Sequence, residues 1–91
     1  MRVREAVRQD PPKLVHALYQ AKDADRATWR HLACYSIRDR GAEGNALLFA
    51  ACEKEGWKVE AFDLRRFQDL QVTAKPWPFN PMYRIEFRDG D

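Results

Sequence analysis

Histidine and cysteine are scarce in this chain of 91 residues, which has two of each. Cys34 and Cys52 form no CxxC pair, and among the four residues only His31 and Cys34 have the spacing of one end of a zinc site. If that segment is a strand, the two side chains point to opposite faces of the sheet, so we predict no metal site. We expect both cysteines to be buried, reduced thiols of a cytosolic protein.

Long apolar runs and a strong net charge are also missing. No run approaches the ~18 residues that cross a bilayer, so no membrane role is expected. Sixteen Lys+Arg against fourteen Asp+Glu give a net charge of +2, which is too small to imply nucleic-acid binding without a clustered patch. With 45% apolar and 33% charged residues, the composition is typical of one globular domain over residues 1–91.

Catalytic signatures are absent from the sequence. There is no GxSxG, GxxxxGK[ST], HExxH or GxGxxG pattern, and cysteines within apolar runs have raised pKa values that suppress their reactivity. Three acidic residues near one turn, Glu53, Glu55 and Glu60, lie beside lysines and are typical of a solvated turn. We therefore predict that the protein is not an enzyme and uses no cofactor.

Proline and glycine divide the chain into short segments, which favours a mainly-β domain. Alternation of side chains predicts a strand over Thr28–Arg38. The apolar run at 46–53 is consistent with a central strand or with a short buried helix, and its length and the turn after it, at Lys54–Trp57, favour a strand in a hairpin. We predict a turn at 39–45 and a bend or 3₁₀ turn at 65–69. The remaining predicted strands are 58–65, 70–73 and 82–87, and together they give a small barrel of about five strands over residues 28–87.

The first 27 residues are predicted as an N-terminal lead. Asp10 and Pro11 suit an N-cap and a first helical position, and the apolar residues after them recur at helical spacing, so we predict a helix over 11–24. The alternative is a first strand along KLVHALYQ, residues 13–20.

Arginine carries the strongest functional signal. Eleven of the sixteen basic residues are arginine, whose planar guanidinium suits both phosphate pairing and stacking. Arg65 and Arg66 lie between Phe62 and Phe67, an arrangement that suits nucleotides or single strands. Alternatively, Arg65 forms an ordinary surface salt bridge with Asp63 or Asp69. Other arginines are expected in a preceding loop and on the terminal strand: Arg38, Arg40, Arg84 and Arg88.

Three stretches resemble the signature segments of the WYL domain family: RHLACYSI at 30–37, LLFAAC at Leu47–Cys52 and FDLRRF at 62–67. Arg30 and Tyr35 match the arginine and tyrosine of the first segment, where Cys34 replaces the family's proline. Only Leu48 remains of the Trp-Tyr-Leu triplet. The third segment keeps three family positions and exchanges an Arg with an Asp: Phe62, Leu64 and Arg66 match, and Asp63 and Arg65 are exchanged.

The resemblance covers residues 14–73, with Tyr19 in the place of the tyrosine that closes the family's first strand. It implies an SH3-type, Sm-like β-barrel of the kind found in bacterial and CRISPR-associated regulators. It also implies a regulatory module that binds a nucleotide or single-stranded nucleic acid through Arg66, then Arg30 and Tyr35. We expect Arg66 to pair with phosphate, Arg30 to support it with Arg65 beside them, and Tyr35 or Phe67 to offer a stacking face. Because 27 residues precede Thr28, too few for a helix-turn-helix domain, we expect a stand-alone module.

A different class of function is also open. Many SH3-like barrels are protein-interaction or assembly modules, and a homodimer could form through the edge strand 82–87 or through an apolar patch at Trp77. Because Trp77 lies between Pro76 and Pro78, we expect it either to cover one open end of the barrel or to contact a partner.

Overall fold

The computed structural model describes residues 3–38 and 46–87. A short helix precedes five strands that form one antiparallel sheet in the order β4-β3-β2-β1-β5. Single 3₁₀ turns follow β3, at Glu53–Glu55, and β4, at Leu64–Arg66. The regular elements are α1 (Val3–Val7), β1 (Lys13–Tyr19), β2 (Thr28–Arg38), β3 (Leu47–Cys52), β4 (Lys58–Asp63) and β5 (Phe67–Pro76).

The middle of the chain folds largely as predicted. β2 has the predicted bounds, and β3 is a central strand that forms a hairpin with β4. Gly56 closes that hairpin with a φ of 68°, which glycine adopts at low cost. The turn predicted at 65–69 is a 3₁₀ turn at Leu64–Arg66, which begins one residue earlier and ends three residues earlier, so β4 ends at Asp63 and not at 65. β5 begins at Phe67 and contains the predicted strand 70–73. The predicted turn 39–45 lies outside the described residues, as do Arg40 and Arg88.

The helix predicted over residues 11–24 is wrong, and its alternative, a first strand, is correct. Val15, Ala17 and Tyr19 alternate as buried residues along β1. β1 pairs with β2 on one side and with β5 on the other, so both of its edges carry ladder hydrogen bonds. This pairing outweighs the local helix propensity of the segment. The N-terminal helical element is α1, further upstream.

The terminal strand predicted over residues 82–87 is also wrong. Within the described part of this segment, regular pairing is reduced to one isolated parallel bridge between Ser36 and Glu86. Alternation along this segment predicts Tyr83, Ile85 and Phe87 on one face, but Tyr83 is 62% exposed, so they form no common buried face. The prolines just before it, at 76, 78 and 81, remove backbone donors and prevent the segment from joining the sheet edge.

The sheet is open but strongly curved. Among residues 3–38 and 46–87, β4 and β5 are its two edges and do not pair, so the predicted barrel closure is not found. The ring of Tyr19 on β1 nevertheless contacts that of Phe62 on β4 at a centroid distance of 5.0 Å, although two strands separate them in the sheet. This curvature encloses an inner core, to which α1 contributes Val3 and Ala6. Its strand residues are Val15, Ala17, Tyr19, Leu32, Cys34, Leu48, Ala50, Cys52 and Phe62.

A second, smaller core lies on the opposite side of the sheet. The segment after β5 crosses this outer face, where Trp77, only 6% exposed, packs on buried residues of the strands. The indole N–H of Trp77 donates to the carbonyl of Lys13 at 3.1 Å. Trp77 is therefore held by packing, as predicted, but over a sheet face instead of an open barrel end. The strand residues beneath it are Leu14, Ala33, Tyr35 and Ala51.

No helix in the described ranges is long and apolar enough to cross a membrane.

Candidate ligand site at the arginine corner

Three of the predicted site arginines, Arg30, Arg65 and Arg66, lie at one end of the sheet, which we call the arginine corner. Arg30 is near the start of β2, and its guanidinium carbon lies 5.2 Å from the centroid of the Tyr19 ring. This is a cation–π contact, which holds the charge over an aromatic face. The Nε of Arg30 also donates to the hydroxyl of Thr28 at 3.4 Å.

Arg65 forms a salt bridge with Asp63. Its Nε and Nη2 donate to the two carboxylate oxygens of Asp63 at 3.3 and 3.2 Å, and its backbone N–H donates to the same carboxylate at 3.0 Å. The Arg65 side chain is the main cause that lowers the pKa of Asp63, and the backbone N–H of Arg65 and the charge of Arg66 act in the same direction. The alternative interpretation of Arg65 as one half of a salt bridge with Asp63 is thus confirmed. The ion pair between Asp63 and Arg65, the two residues exchanged relative to the family pattern, therefore fixes the shape of the 3₁₀ turn.

Arg66 is held by its backbone. Its carbonyl accepts from the N–H of Gln20 at 3.1 Å, which fastens the 3₁₀ turn to the end of β1. Across residues 3–38 and 46–87, its guanidinium makes no hydrogen bond or ion pair, and the side chain is half-buried. A guanidinium on a fixed backbone with free donors can bind an anion without first breaking an internal pair.

Aromatic rings support the arginine corner from inside. Phe67 pairs with Tyr19 across β5 and β1, and their ring centroids are 4.7 Å apart. Phe62 contacts both rings, at 5.0 Å from Tyr19 and 6.2 Å from Phe67. The Tyr19 hydroxyl accepts from the backbone N–H of Asp63 at 3.2 Å, so one tyrosine connects β1 to the turn that carries the arginines. The sequence named Tyr19 only as a strand end.

Tyr35 is not part of the arginine corner. It lies further along β2 in the outer core and is 3% exposed, with Trp77 and Tyr83 against its ring at 5.1 and 5.7 Å. Its hydroxyl accepts from the backbone N–H of Met82 at 3.1 Å. In this position the ring holds the segment after β5 against the sheet and presents no free face for stacking.

The remaining described arginines of the predicted set form a separate group. Arg38 and Arg84 both contact the carboxylate of Glu86, at 3.4 and 3.8 Å. Arg38 ends β2, eight residues beyond Arg30, which is about 26 Å along an extended strand. The two arginines border an open groove of about 610 Å³ whose lining also includes Tyr35, Ser36, Phe49, Val59, Tyr83 and Glu86. The structure thus divides the arginines between opposite ends of the sheet.

The two cysteines are buried free thiols of the inner core. Burial raises the pKa of the Cys34 thiol well above its ordinary value, as predicted. His31 lies on the other face of β2, where its ring stacks on that of His16, so the prediction that His31 and Cys34 point to opposite faces is confirmed.

A stacked column of rings on the outer face is a feature that the sequence analysis missed. His16 on β1 lies between two rings of β2, with centroid distances of 4.4 Å to Trp29 and 4.5 Å to His31. We call these three residues the Trp29 column. The signal was in the alternation of β2, which places Trp29 and His31 on one face, but His16 joins them only through the β1–β2 register.

We expect the Trp29 column to make the stability of the fold depend on pH. Burial is the main cause that lowers the pKa of His16; His31 and Lys75 lower it further, and Asp69 opposes them. Because the unfolded chain binds a proton at its ordinary pKa of about 6.5 and the folded chain does so only at lower pH, acid favours unfolding. We expect the free energy of unfolding to fall from pH 7.5 to pH 5.5 in urea titrations. His16→Gln should flatten this dependence, and an unchanged profile in that variant would contradict the assignment.

Comparison with family models, with curated proteins and with solved structures finds no match to this chain.

Proposed function

We propose that this protein binds a nucleotide or single-stranded nucleic acid at the arginine corner, on a curved sheet of the SH3-type, Sm-like kind that WYL domains have. The proposal rests on one observation about Arg66, namely that its guanidinium is available to bind an anion. Its guanidinium has no hydrogen-bond or ion-pair partner within the described ranges, and it stands on a turn fastened to β1, beside the Arg30–Tyr19 contact.

In this proposal each of the three arginines has a different role in binding. Arg66 pairs with a phosphate through its planar fork, and Arg30 supplies a second positive charge that the Tyr19 ring keeps in place. Arg65 contributes little direct affinity because Asp63 engages it, but it keeps the turn in shape. The neighbouring loop adds no net charge, since Lys22 and Arg26 there are balanced by two aspartates, at 23 and 25. Binding therefore depends on individual guanidinium groups and involves few phosphates.

The family resemblance supports the same site in part. Arg30 and Arg66 come from separate signature segments, yet both lie at the arginine corner, and Tyr19 ends the first strand. Tyr35 matches the family pattern but lies in the outer core, so we leave it out of the proposed contacts. We further propose a role in regulation, without catalysis, that follows from ligand binding.

Arg66→Ala is expected to weaken binding of a fluorescein-labelled oligothymidine of twelve nucleotides by about 10-fold, or about 1.4 kcal/mol, because a charge-assisted contact to phosphate is lost. Fluorescence anisotropy measures the affinity. For two to three phosphate contacts, the wild-type affinity should fall with salt at a log–log slope of about −1.5 to −2, and Arg66→Ala should make the slope shallower by about 0.7.

The matched control is Arg84→Ala, which removes an exposed arginine at the other end of the sheet and should bind the oligomer like the wild type. Arg66→Lys should recover part of the affinity, since it restores the charge but not the planar fork. Equal affinities for wild type and Arg66→Ala, or a wild-type affinity that ignores salt, would contradict the proposal.

The two surfaces predicted for the alternative, a protein-interaction or assembly module, are not exposed in the predicted form. Residues 82–87 form no edge strand, and Trp77 is buried in the outer core. Apart from Trp29, the large apolar side chains exposed on the described residues are Met82 and Tyr83. Two adjacent side chains give far less than the roughly 800 Å² per partner of a stable interface. We therefore place ligand binding first.

A further inference from the structure

A β-bulge in the second half of β2 places two successive side chains on the outer face of the sheet. The β2–β3 ladder shifts its register between Cys34 and Ser36, so Tyr35 is the extra residue. Strict alternation would put Tyr35 and Ile37 on one face, but Tyr35 packs in the outer core and Ile37 packs against the inner core. Ser36 therefore lies on the outer face beside Tyr35. Bulges often re-aim a side chain in this way next to a binding site.

The hydroxyl of Ser36 is available to a ligand. Ser36 is 9% exposed, and among residues 3–38 and 46–87 its side chain makes no hydrogen bond. It lines the open groove of about 610 Å³ that Arg38 and Arg84 border, which we call the bulge groove. Because buried polar side chains nearly always have a hydrogen-bond partner, a buried hydroxyl that opens on a groove is suited to donate to a bound ligand.

The described lining residues of the bulge groove carry one net positive charge, from two arginines and one glutamate. Arg38 and Arg84 lie against different oxygens of the Glu86 carboxylate, at 3.4 and 3.8 Å. The longer distance is not a hydrogen bond, and within the described part of the chain the Arg84 guanidinium donates none. A phosphate monoester carries about 1.5 to 2 negative charges at neutral pH, whereas a carboxylate carries one. The charge at the groove therefore matches a carboxylate.

The rest of the bulge groove is apolar and aromatic. Phe49 and Val59 are half-buried where they line it. Tyr83 borders it with a ring that is 62% exposed and stands edge-on to Tyr35, at an interplanar angle of 84°. Aromatic rings pack on one another in edge-to-face or offset arrangements, and small-molecule sites usually have volumes of about 300–1,000 Å³. The groove therefore suits a ligand whose apolar part is a small ring system.

We propose that the bulge groove binds a small aromatic carboxylate. The ring system of the ligand lies against Phe49 and Tyr83, and its carboxylate accepts from the Ser36 hydroxyl and the Arg84 guanidinium. One ligand reaches all four side chains because they line the same groove. The carboxylate of Glu86 competes with that of the ligand for the arginines. This site lies at the other end of the sheet from the arginine corner, so the inference goes beyond the proposed function and does not depend on it.

The test titrates the ¹⁵N-labelled protein with 2-naphthoate and with its neutral analogue 2-naphthamide, and nuclear magnetic resonance follows the backbone amides. Naphthoate should bind about 10-fold more tightly than naphthamide, with the largest shifts at Ser36 and Phe49. Arg84→Ala should weaken naphthoate by about 5-fold, and Glu86→Gln should strengthen it by about 5-fold because the competing carboxylate is removed. Both variants should bind naphthamide like the wild type. Tyr83→Ala should weaken both ligands, since it removes a ring contact.

The matched control is Arg26→Ala, which removes an exposed arginine from the loop between β1 and β2 and should bind naphthoate like the wild type. Equal affinities for naphthoate and naphthamide, or no gain in Glu86→Gln, would overturn the proposal. Shifts centred on the Leu64–Arg66 turn would place the carboxylate at the arginine corner and overturn it as well. Because oligothymidine binding is measured separately, either proposal can fail while the other stands. Unchanged circular dichroism shows that each variant is folded.

Discussion

Trp77→Ala is expected to lower the free energy of unfolding by about 3 to 5 kcal/mol, the usual range for truncating a buried tryptophan. The side chain packs against Tyr35 at 5.1 Å and Phe79 at 5.7 Å, and its N–H donates to the carbonyl of Lys13. Truncation leaves a cavity over β2 and an unpaired carbonyl. Since a chain of 91 residues has a total stability of about 5 to 14 kcal/mol, the variant should be close to unfolding.

Urea titration followed by far-ultraviolet circular dichroism measures this loss. The matched control is Trp29→Ala, which removes the same side chain from an exposed position and should cost about 1 kcal/mol or less. Equal, small losses in the two variants would mean that Trp77 does not pack on the outer face. A large loss in Trp77→Ala alone supports an outer core that contributes to the stability of the whole sheet.

Tyr19→Ala is expected to cost a similar 3 to 5 kcal/mol, for a different reason. Tyr19 connects β1 with β4 and β5 across the inner core, since its ring touches Phe62 and Phe67 and its hydroxyl accepts from the backbone N–H of Asp63. Truncation opens the inner core where β1, β4 and β5 meet. It also removes the ring beneath Arg30, so ligand binding should weaken in the fraction that remains folded.

Tyr19→Phe separates the ring from the hydroxyl. It keeps the aromatic contacts and loses one hydrogen bond, so the expected cost is about 1 kcal/mol. Melting curves for the two variants test this division. A loss in Tyr19→Phe as large as that in Tyr19→Ala would show that the hydroxyl, and not the packing of the ring, holds the turn in place.

These variants connect stability with the proposed site. The 3₁₀ turn that carries Arg65 and Arg66 is fixed by the Gln20–Arg66 backbone hydrogen bond, by the Asp63 carboxylate and by the hydroxyl of Tyr19, which accepts from the N–H of Asp63. The backbone that carries the Arg66 side chain is thus fixed before the ligand arrives, so only the side chain has to be ordered on binding. A free guanidinium with no such support would bind phosphate less well.

The local pattern of side chains was enough to predict the strands in the middle of the chain. Alternation predicted β2 without error, and the turn at Lys54–Trp57 predicted the β3–β4 hairpin. The same reasoning failed at β1, where helical spacing and strand alternation coexist in one short segment, and only pairing with two neighbours decides between them. It failed at 82–87 because alternation shows that a segment can form a strand, whereas an available sheet edge decides whether it does.

The sequence alone determined that this protein is mainly β and that its cysteines are buried. It also predicts ligand contact by the arginines beside the phenylalanines at 62–67. Tertiary structure alone decided which arginines lie at the same end of the sheet. Arg30 joins Arg66 and Arg38 does not, because strand register and sheet curvature set distances between residues far apart in the chain. The stacking of His16 between Trp29 and His31 likewise exists only once β1 and β2 are in register, since it depends on long-range pairing that no local pattern encodes.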